Sequence, residues 1–424
     1  MNLSENEKVA KQFVLHIVLK GLQISEPCDE NFTDDIFKLP SFYDDEKFKR
    51  GQRYFADNRA GAKLLDRTDH SSRPDTAKKR YISTTLSLLS WYENKLEPGS
   101  KSWESLKRVR KMHLAASNAV KARENHVIPQ CAMSMTAFGF MGYALTKPHQ
   151  LGIRNDNEED QEAFCHFWAV ISSMLGVKDE FNMCLFPLDI VKIICHIFIR
   201  YAFIPFLQME TPTFQKLGSA FIEGMIYYVP FSTYESRLFL ARRLAGIPGY
   251  QYNVDLSKEY HLRQIFTKEE LQMLKDQFQN TPGFEYRQNM VFDEKMHLIE
   301  IKRFDQCQKN EKYFEAYEDY NINTFGVYKK ENAMDDNEKN ENVNYLLDFY
   351  GLDNPSELLI TEIDEDNYDS YLNDNKFKQL SRKDKFLVKY SIHHVNMIAN
   401  KFTKPFYEFG LATFLYAMKK QSGQ

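Results

Sequence analysis

One helix with a histidine on its apolar face constrains the fold of this chain most strongly. Between about Ser102 and Lys121, apolar residues recur at spacings of three or four, the period of an amphipathic helix. His113 shares the face of these apolar residues, and Arg110 lies one turn before it. The positions on this face are Leu106, Val109, His113, Ala116 and Val120.

The pairing of His113 with Arg110 has two interpretations. A histidine on an apolar face is often a hydrogen-bonded core residue. Alternatively, a neutral imidazole can bind iron axially, while a neighbouring guanidinium neutralises a haem propionate. The pattern therefore makes His113 a candidate metal ligand and Arg110 a candidate cofactor-binding residue.

Composition describes a large globular protein. The 424 residues are 43% hydrophobic, which supplies a sizeable core, and 14% aromatic, which suits either an ordinary core or a flat apolar cofactor. The net charge of −4 and the absence of long Lys/Arg runs argue against nucleic-acid binding. None of the six cysteines forms a C-x-x-C pair, so a zinc ribbon is not expected, and buried thiols fit a reducing compartment.

No membrane-spanning helix is expected. The most apolar stretch, Ile190 to Leu207, carries Lys192, His196 and Arg200 at intervals of four, and charges in lipid are costly. We assign it to the core and leave peripheral membrane contact open. Residues 1–23 lack the basic start and apolar centre of a signal peptide, so we expect an intracellular protein.

The periodicity predicts an all-α protein in three parts. An N-terminal helical segment covers residues 1–36, a main domain 37–265, and a C-terminal helical extension 266–424 with a polar linker near 329–344. The acidic run at 364–366 lacks the glycine and terminal glutamate of an EF-hand loop, so we interpret it as a solvated surface.

Five sequence blocks, in order, resemble one family of haem-dependent oxygenases. This family includes the latex-clearing rubber oxygenases and the endoplasmic-reticulum-bound oxygenase of the mycophenolic acid pathway, and the similarity is closest to its animal branch. The blocks are Phe37 to Phe42 with Lys47 to Gln52, Arg80 to Thr84, Ser102 to His113, Gln130 to Tyr143, and His166 to Trp168 leading to Asn182.

The resemblance implies a globin-like helical core that binds haem b. It implies that His113 is the proximal iron ligand with Arg110 beside it, and that Arg80 and Thr84 lie near the oxygen-binding pocket as catalytic residues. Rubber oxygenases carry a lysine directly before that threonine, where this chain has Ser83. Ala132 and Ala137 stand where we expect polar residues.

Two further residues are candidates for cofactor binding. His166 is either a rival ligand or a second pocket histidine, and a structural role for it stays open. Arg243 resembles a late basic position in the family that could reach a propionate. The adjacent pair His393 and His394 diverges by about 100° around a helix and cannot clamp one metal ion.

These observations lead to one functional hypothesis and two alternatives. The leading hypothesis is a haem b-dependent oxygenase that uses O2 to cleave a double bond in a hydrophobic olefinic or isoprenoid substrate, in the cytoplasm or at the endoplasmic reticulum. One alternative is a non-enzymatic haem protein that senses or carries O2. The other is a helical interaction protein that has lost haem.

Overall fold

The fold is given by a computed structural model of the chain. The structure describes residues 3–23, 25–28, 32–57, 74–124, 127–153, 157–204, 207, 212–224, 232–247, 249–250, 252, 265–279 and 376–399.

Within these ranges the secondary structure is helical, which confirms the predicted all-α class. The main helices are α1 (Glu5–Leu19), α2 (Asp45–Asp57), α3 (Pro74–Glu93), α4 (Lys101–Glu124), α5 (Gln130–Thr146), α6 (Glu158–Met174), α7 (Leu188–Phe198), α8 (Pro212–Gly224), α9 (Tyr234–Ala245), α10 (Lys268–Gln279), α11 (Lys376–Gln379) and α12 (Arg382–Ala399). Short 3-10 turns cover Asp34–Ile36, Pro148–Leu151, Asp179–Phe181 and Met183–Leu185. The β-type pairing seen here is an isolated bridge between Pro27 and Pro129.

Local sequence signals explain where several helices begin and end. Ser4 caps α1 in a capping box, because its hydroxyl accepts from the amide of Glu7 and the Glu7 carboxylate accepts from the amide of Ser4. Asn157 caps α6 by accepting from the amide of Glu159. Helix α9 ends at Gly246, whose φ of 80° is left-handed and suits glycine.

One continuous apolar core joins the helices from α1 to α10. Helix α2 lies along α6, α1 packs on α7, α5 packs on α6 and α7, and α3 packs on both α4 and α8. Helix α10 packs on α1, where Lys11 of α1 pairs with Glu270. The predicted boundaries at residues 36 and 265 remain predictions, but Ile265 and Phe266 are fully buried in this core.

The apolar stretch from Ile190 onward lies in the core. It forms α7 and then a π-helical turn, Ile199–Phe203, in which the Arg200 side chain is only 8% exposed. Lys192 and His196 are partly buried. Among the helices of the described ranges, none combines the length and the apolar character needed to cross a membrane.

Residues 376–399 pack against α9. Phe239 of α9 forms a small apolar cluster with Val388 and Ile392 of α12, and Phe377 of α11 stacks on Tyr252 at 4.2 Å between ring centres. The predicted linker near 329–344 and the acidic run at 364–366 lie outside the described residues.

Candidate functional site

The candidate site lies at the open end of a helical hairpin formed by α3 and α4. The two helices run antiparallel because only residues 94–100 connect them. Near this connection they are joined tightly: the indole Nε1 of Trp91 donates to Ser105 Oγ at 3.1 Å, and Ser102 Oγ donates to the carbonyl of Ser90 at 2.7 Å. These bonds fix the register of α3 against α4.

That register places Thr84 and His113 in the same half of the hairpin, towards its open end. Thr84 precedes Trp91 by seven residues, and His113 follows Ser105 by eight. At a rise of 1.5 Å per residue, they lie about 10 Å and about 12 Å along their helices from the Trp91 contact. Two residues that are distant in sequence therefore come to one region of the fold.

Thr84 and His113 are less deeply buried than Trp91 and Leu106, which lie on the same faces nearer the connection. Seven residues make two helical turns, so Thr84 shares the face of Trp91, and His113 shares the face of Leu106. Trp91 is 5% exposed and Leu106 is fully buried, whereas Thr84 and His113 are both only partly buried. Part of each of these two side chains is therefore accessible to solvent.

The surroundings of His113 on α4 are mixed, because Arg110 and the buried Ser117 lie one turn before and after it beside apolar side chains. Val109 and Leu114 are partly buried and pack against the main core. The Nδ1 atom of His113 is itself buried. A partly accessible imidazole beside apolar side chains can act as a neutral donor to a metal ion.

Arg110 makes contacts within the protein. Its Nη1 donates to the backbone carbonyl of Met174 at 3.2 Å, and its guanidinium carbon lies 4.6 Å from the centre of the Phe32 ring. These contacts join α4 to the end of α6. The guanidinium would have to leave them in order to bind a propionate.

His166 has a structural partner at the nitrogen that a metal ligand would use. Its Nε2 accepts a hydrogen bond of 3.1 Å from the amide of Asp44, at the start of α2. Its ring also packs edge-on against Phe42. Burial lowers the pKa of His166, and a neutral imidazole is the form that accepts this bond.

Arg243 is buried and also has protein partners. Its Nε donates to the carbonyl of Tyr252 at 2.7 Å, and its Nη1 donates to Gln150 Oε1 at 3.1 Å. These bonds hold the end of α9 to the turn after α5. Arg80 lies on α3 one turn before Thr84, and its side chain lies outside the described residues.

A metal site built from several protein side chains is not formed in the described ranges. Among them, no group of three or more His, Cys, Asp or Glu side chains could hold a metal ion. Burial raises the pKa of the Cys165 thiol to about 12, so this thiol stays protonated. The five cysteines of the described ranges are buried, free thiols.

Several residues in the sequence blocks form joints between helices, a role that sequence reasoning missed. The Gln52 amide donates to the carbonyls of Trp91 and Asn94 at the end of α3. Gln130 is fully buried and bonds three backbone groups, and the buried Asn182 donates to the carbonyl of Ala169. For Gln130 and Asn182 the available signal was a polar residue next to apolar ones, whereas Gln52 lies among charged residues and offered no such signal.

Comparison of the chain with protein-family models, curated proteins and solved structures finds no match.

Proposed function

We propose that this chain is a haem b-dependent oxygenase whose cofactor is held at the open end of the α3–α4 hairpin. The observation that carries the proposal is that Thr84 and His113 are both partly accessible and lie in the half of the hairpin towards its open end, on the faces that carry Trp91 and Leu106. The sequence blocks that resemble haem-dependent oxygenases contain both residues, which supports the same assignment. In this proposal the helices surround haem in a globin-like arrangement.

The residues of this region fit a haem in part. His113 supplies an imidazole donor, and Val109 and Leu114 supply apolar contacts. Arg110 and Arg243 already donate hydrogen bonds to backbone carbonyls of the protein. Neither guanidinium is therefore placed to neutralise a haem propionate. When bound, haem supplies the chemistry that activates O2.

The protein residues then bind, orient and shield. His113 holds the cofactor through its imidazole, and the packed side chains of α4 exclude water from one side. The Thr84 hydroxyl donates a hydrogen bond to a polar group in the opening. The substrate is a hydrophobic olefin or isoprenoid, and cleavage of its double bond consumes one O2 and produces two carbonyl groups.

A non-enzymatic haem protein that senses or carries O2 is the second candidate. Ala137 favours it, since it is buried in α5 at a position where the resemblance leads us to expect a polar side chain. We place either protein inside the cell, in the cytoplasm or at the surface of the endoplasmic reticulum, because buried free thiols suit a reducing compartment.

Oxygen consumption with a dispersed isoprenoid such as squalene tests the proposal. We expect the purified chain to consume O2 with the olefin and to form carbonyl products. Thr84→Val should keep haem bound but lower turnover roughly ten- to a hundred-fold, because the hydrogen bond that the Thr84 hydroxyl donates is lost. Thr85→Val is the matched control, since Thr85 is also partly buried and points about 100° away on α3.

Two outcomes would count against the oxygenase. Equal turnover in both threonine variants would show that Thr84 is only a helix residue. A haem-loaded protein that binds O2 but leaves the olefin intact would favour the sensor or carrier.

A further inference from the structure

The outward side of α12 has a surface of unusual composition. Phe386 is 62% exposed and Tyr390 is 42% exposed, although both side chains are large and aromatic. Basic side chains surround them on the same helix. We call this surface the basic-aromatic face; it consists of Arg382, Lys383, Phe386, Lys389, Tyr390 and His393.

The six positions form one continuous stripe. At 100° per residue, they fall within about 120° of the helix circumference. The aromatic rings are ordered along the stripe: Phe386 stacks with Tyr390 at 6.3 Å between centres, and Tyr390 stacks with His394 at 5.9 Å. The Lys389 ammonium lies 5.8 Å from the ring centre of Phe377.

The opposite side of α12 is fixed to the protein. Val388 is fully buried with Phe239 of α9. The carboxylate of Asp384 accepts hydrogen bonds from Thr233 and Ser381, and Asp384 is only 9% exposed. The helix therefore presents its outer face from a rigid base.

The charge of α11 and α12 is strongly positive. Residues 376–399 contain one carboxylate, that of Asp384, which faces inward. They also contain six cationic side chains: Lys376, Lys378, Arg382, Lys383, Lys385 and Lys389. The whole chain has a net charge of −4. These two helices are therefore cationic within a chain whose net charge is negative.

We propose that the basic-aromatic face docks the protein onto an anionic membrane surface. A helix that lies on a membrane places aromatic side chains at the boundary of headgroups and acyl chains, with Lys and Arg reaching to the lipid phosphates. Phe386 and His393 lie nearest the middle of the stripe, Tyr390 and Arg382 flank them, and Lys383 and Lys389 lie at its edges. Charge complementarity selects an anionic bilayer over an uncharged one, and the exposed ring of Phe386 adds apolar insertion at the surface.

This docking is independent of the haem proposal, since the face lies on α12 and involves neither α3 nor α4. It also differs from residues 190–204 of the apolar stretch, whose side chains are largely buried. A hydrophobic substrate would be concentrated at such a surface, but the docking does not require one.

Vesicle flotation of the full-length chain tests the inference. We expect binding to vesicles of phosphatidylcholine and phosphatidylserine, and little binding to phosphatidylcholine alone. The double substitution Arg382→Gln with Lys383→Gln should lower the partition coefficient roughly 30-fold. Each of the two cations contributes a similar part of the binding free energy at an anionic surface, and both parts are lost. Phe386→Ser should lower it roughly tenfold through loss of ring insertion.

The matched control is Lys95→Gln with Lys101→Gln, which removes the same charge from exposed positions elsewhere. Circular dichroism checks that each variant keeps its helix content. Equal loss of binding in the control and the α12 variant would overturn the proposal, as would no binding to anionic vesicles. Binding to a single-stranded oligonucleotide without vesicle binding would overturn it in favour of nucleic acid.

Discussion

Gln130 shows how a single buried amide joins separate parts of the chain. Its Nε2 donates to the carbonyls of Pro27 and Gly176, at 3.0 and 3.1 Å, and its Oε1 accepts from the amide of Lys178. These bonds tie α5 to the segment after α1 and to the loop after α6. Buried backbone groups left without partners are costly, so the amide stabilises all of these connections.

Replacing Gln130 tests this role. Gln130→Leu should lower the free energy of unfolding by about 2–4 kcal/mol, because two carbonyls and one amide lose their partner. Urea denaturation followed by circular dichroism measures the change. Gln23→Leu is the control, since the exposed Gln23 side chain donates to the carbonyl of Leu19 and accepts from Ser25 Oγ at the protein surface, and its loss should cost about 0.5 kcal/mol or less. Equal losses in the two variants would refute the role of Gln130.

His166 makes stability depend on pH. Burial holds its pKa below the ordinary value of 6.5, so the folded protein binds fewer protons than the unfolded chain in this window. Its contribution should therefore be present above pH 6.5 and decline as the pH falls towards the lower pKa of the folded state. Urea denaturation between pH 5 and pH 8 should show this decline, and His166→Gln, whose amide oxygen can still accept from Asp44, should reduce it. Coincident pH profiles would contradict the assignment.

At the scale of elements, α2 and α6 approach each other closely at Gly51. A Cβ atom at Gly51 would lie 2.3 Å from the carbonyl oxygen of Ala163 and 2.8 Å from Phe167 Cβ. Beside it, Arg50 pairs with Glu159 and Asp160 in the first turn of α6. The lack of a side chain thus sets the distance between the two helices.

The sign of the change in the free energy of unfolding in Gly51→Ala tests this close approach of the two helices. Helix propensity alone predicts that Gly51→Ala stabilises α2 by about 1 kcal/mol. The contact with the backbone of α6 predicts the opposite, a net loss of about 1–3 kcal/mol from overpacking. The free energy of unfolding decides between them, and a stabilised variant would show that the two helices are not held this closely.

The sequence anticipated elements better than the contacts between them. Periodicity predicted a helix from about Ser102 to Lys121, and α4 runs from Lys101 to Glu124. It could not reveal that Arg110 bonds to the carbonyl of Met174, because the two are 64 residues apart and nothing local marks the pairing. The same holds for the bond between His166 and Asp44, which depends on how α2 and α6 meet.

At the scale of the whole molecule, two surfaces have distinct roles in this account. The open end of the α3–α4 hairpin holds the proposed cofactor site, and the outer side of α12 forms the basic-aromatic face. The all-α class followed from periodicity because the spacing of apolar residues along an amphipathic helix shows which face is buried. The placement of Thr84 and His113 in the same half of the hairpin did not, because it depends on the Trp91–Ser105 bond that helps to fix the hairpin register.

The central claim is that His113 binds haem. The most direct test is the absorption spectrum of the full-length chain purified from haem-replete cells, with haem quantified against protein. We predict a Soret band and about one haem per chain, most of which is lost in His113→Ala but retained in His149→Ala, a substitution at an exposed histidine outside the hairpin. A chain without a Soret band would contradict the claim and favour a helical interaction protein, and full haem occupancy in His113→Ala would show that His113 is not the ligand.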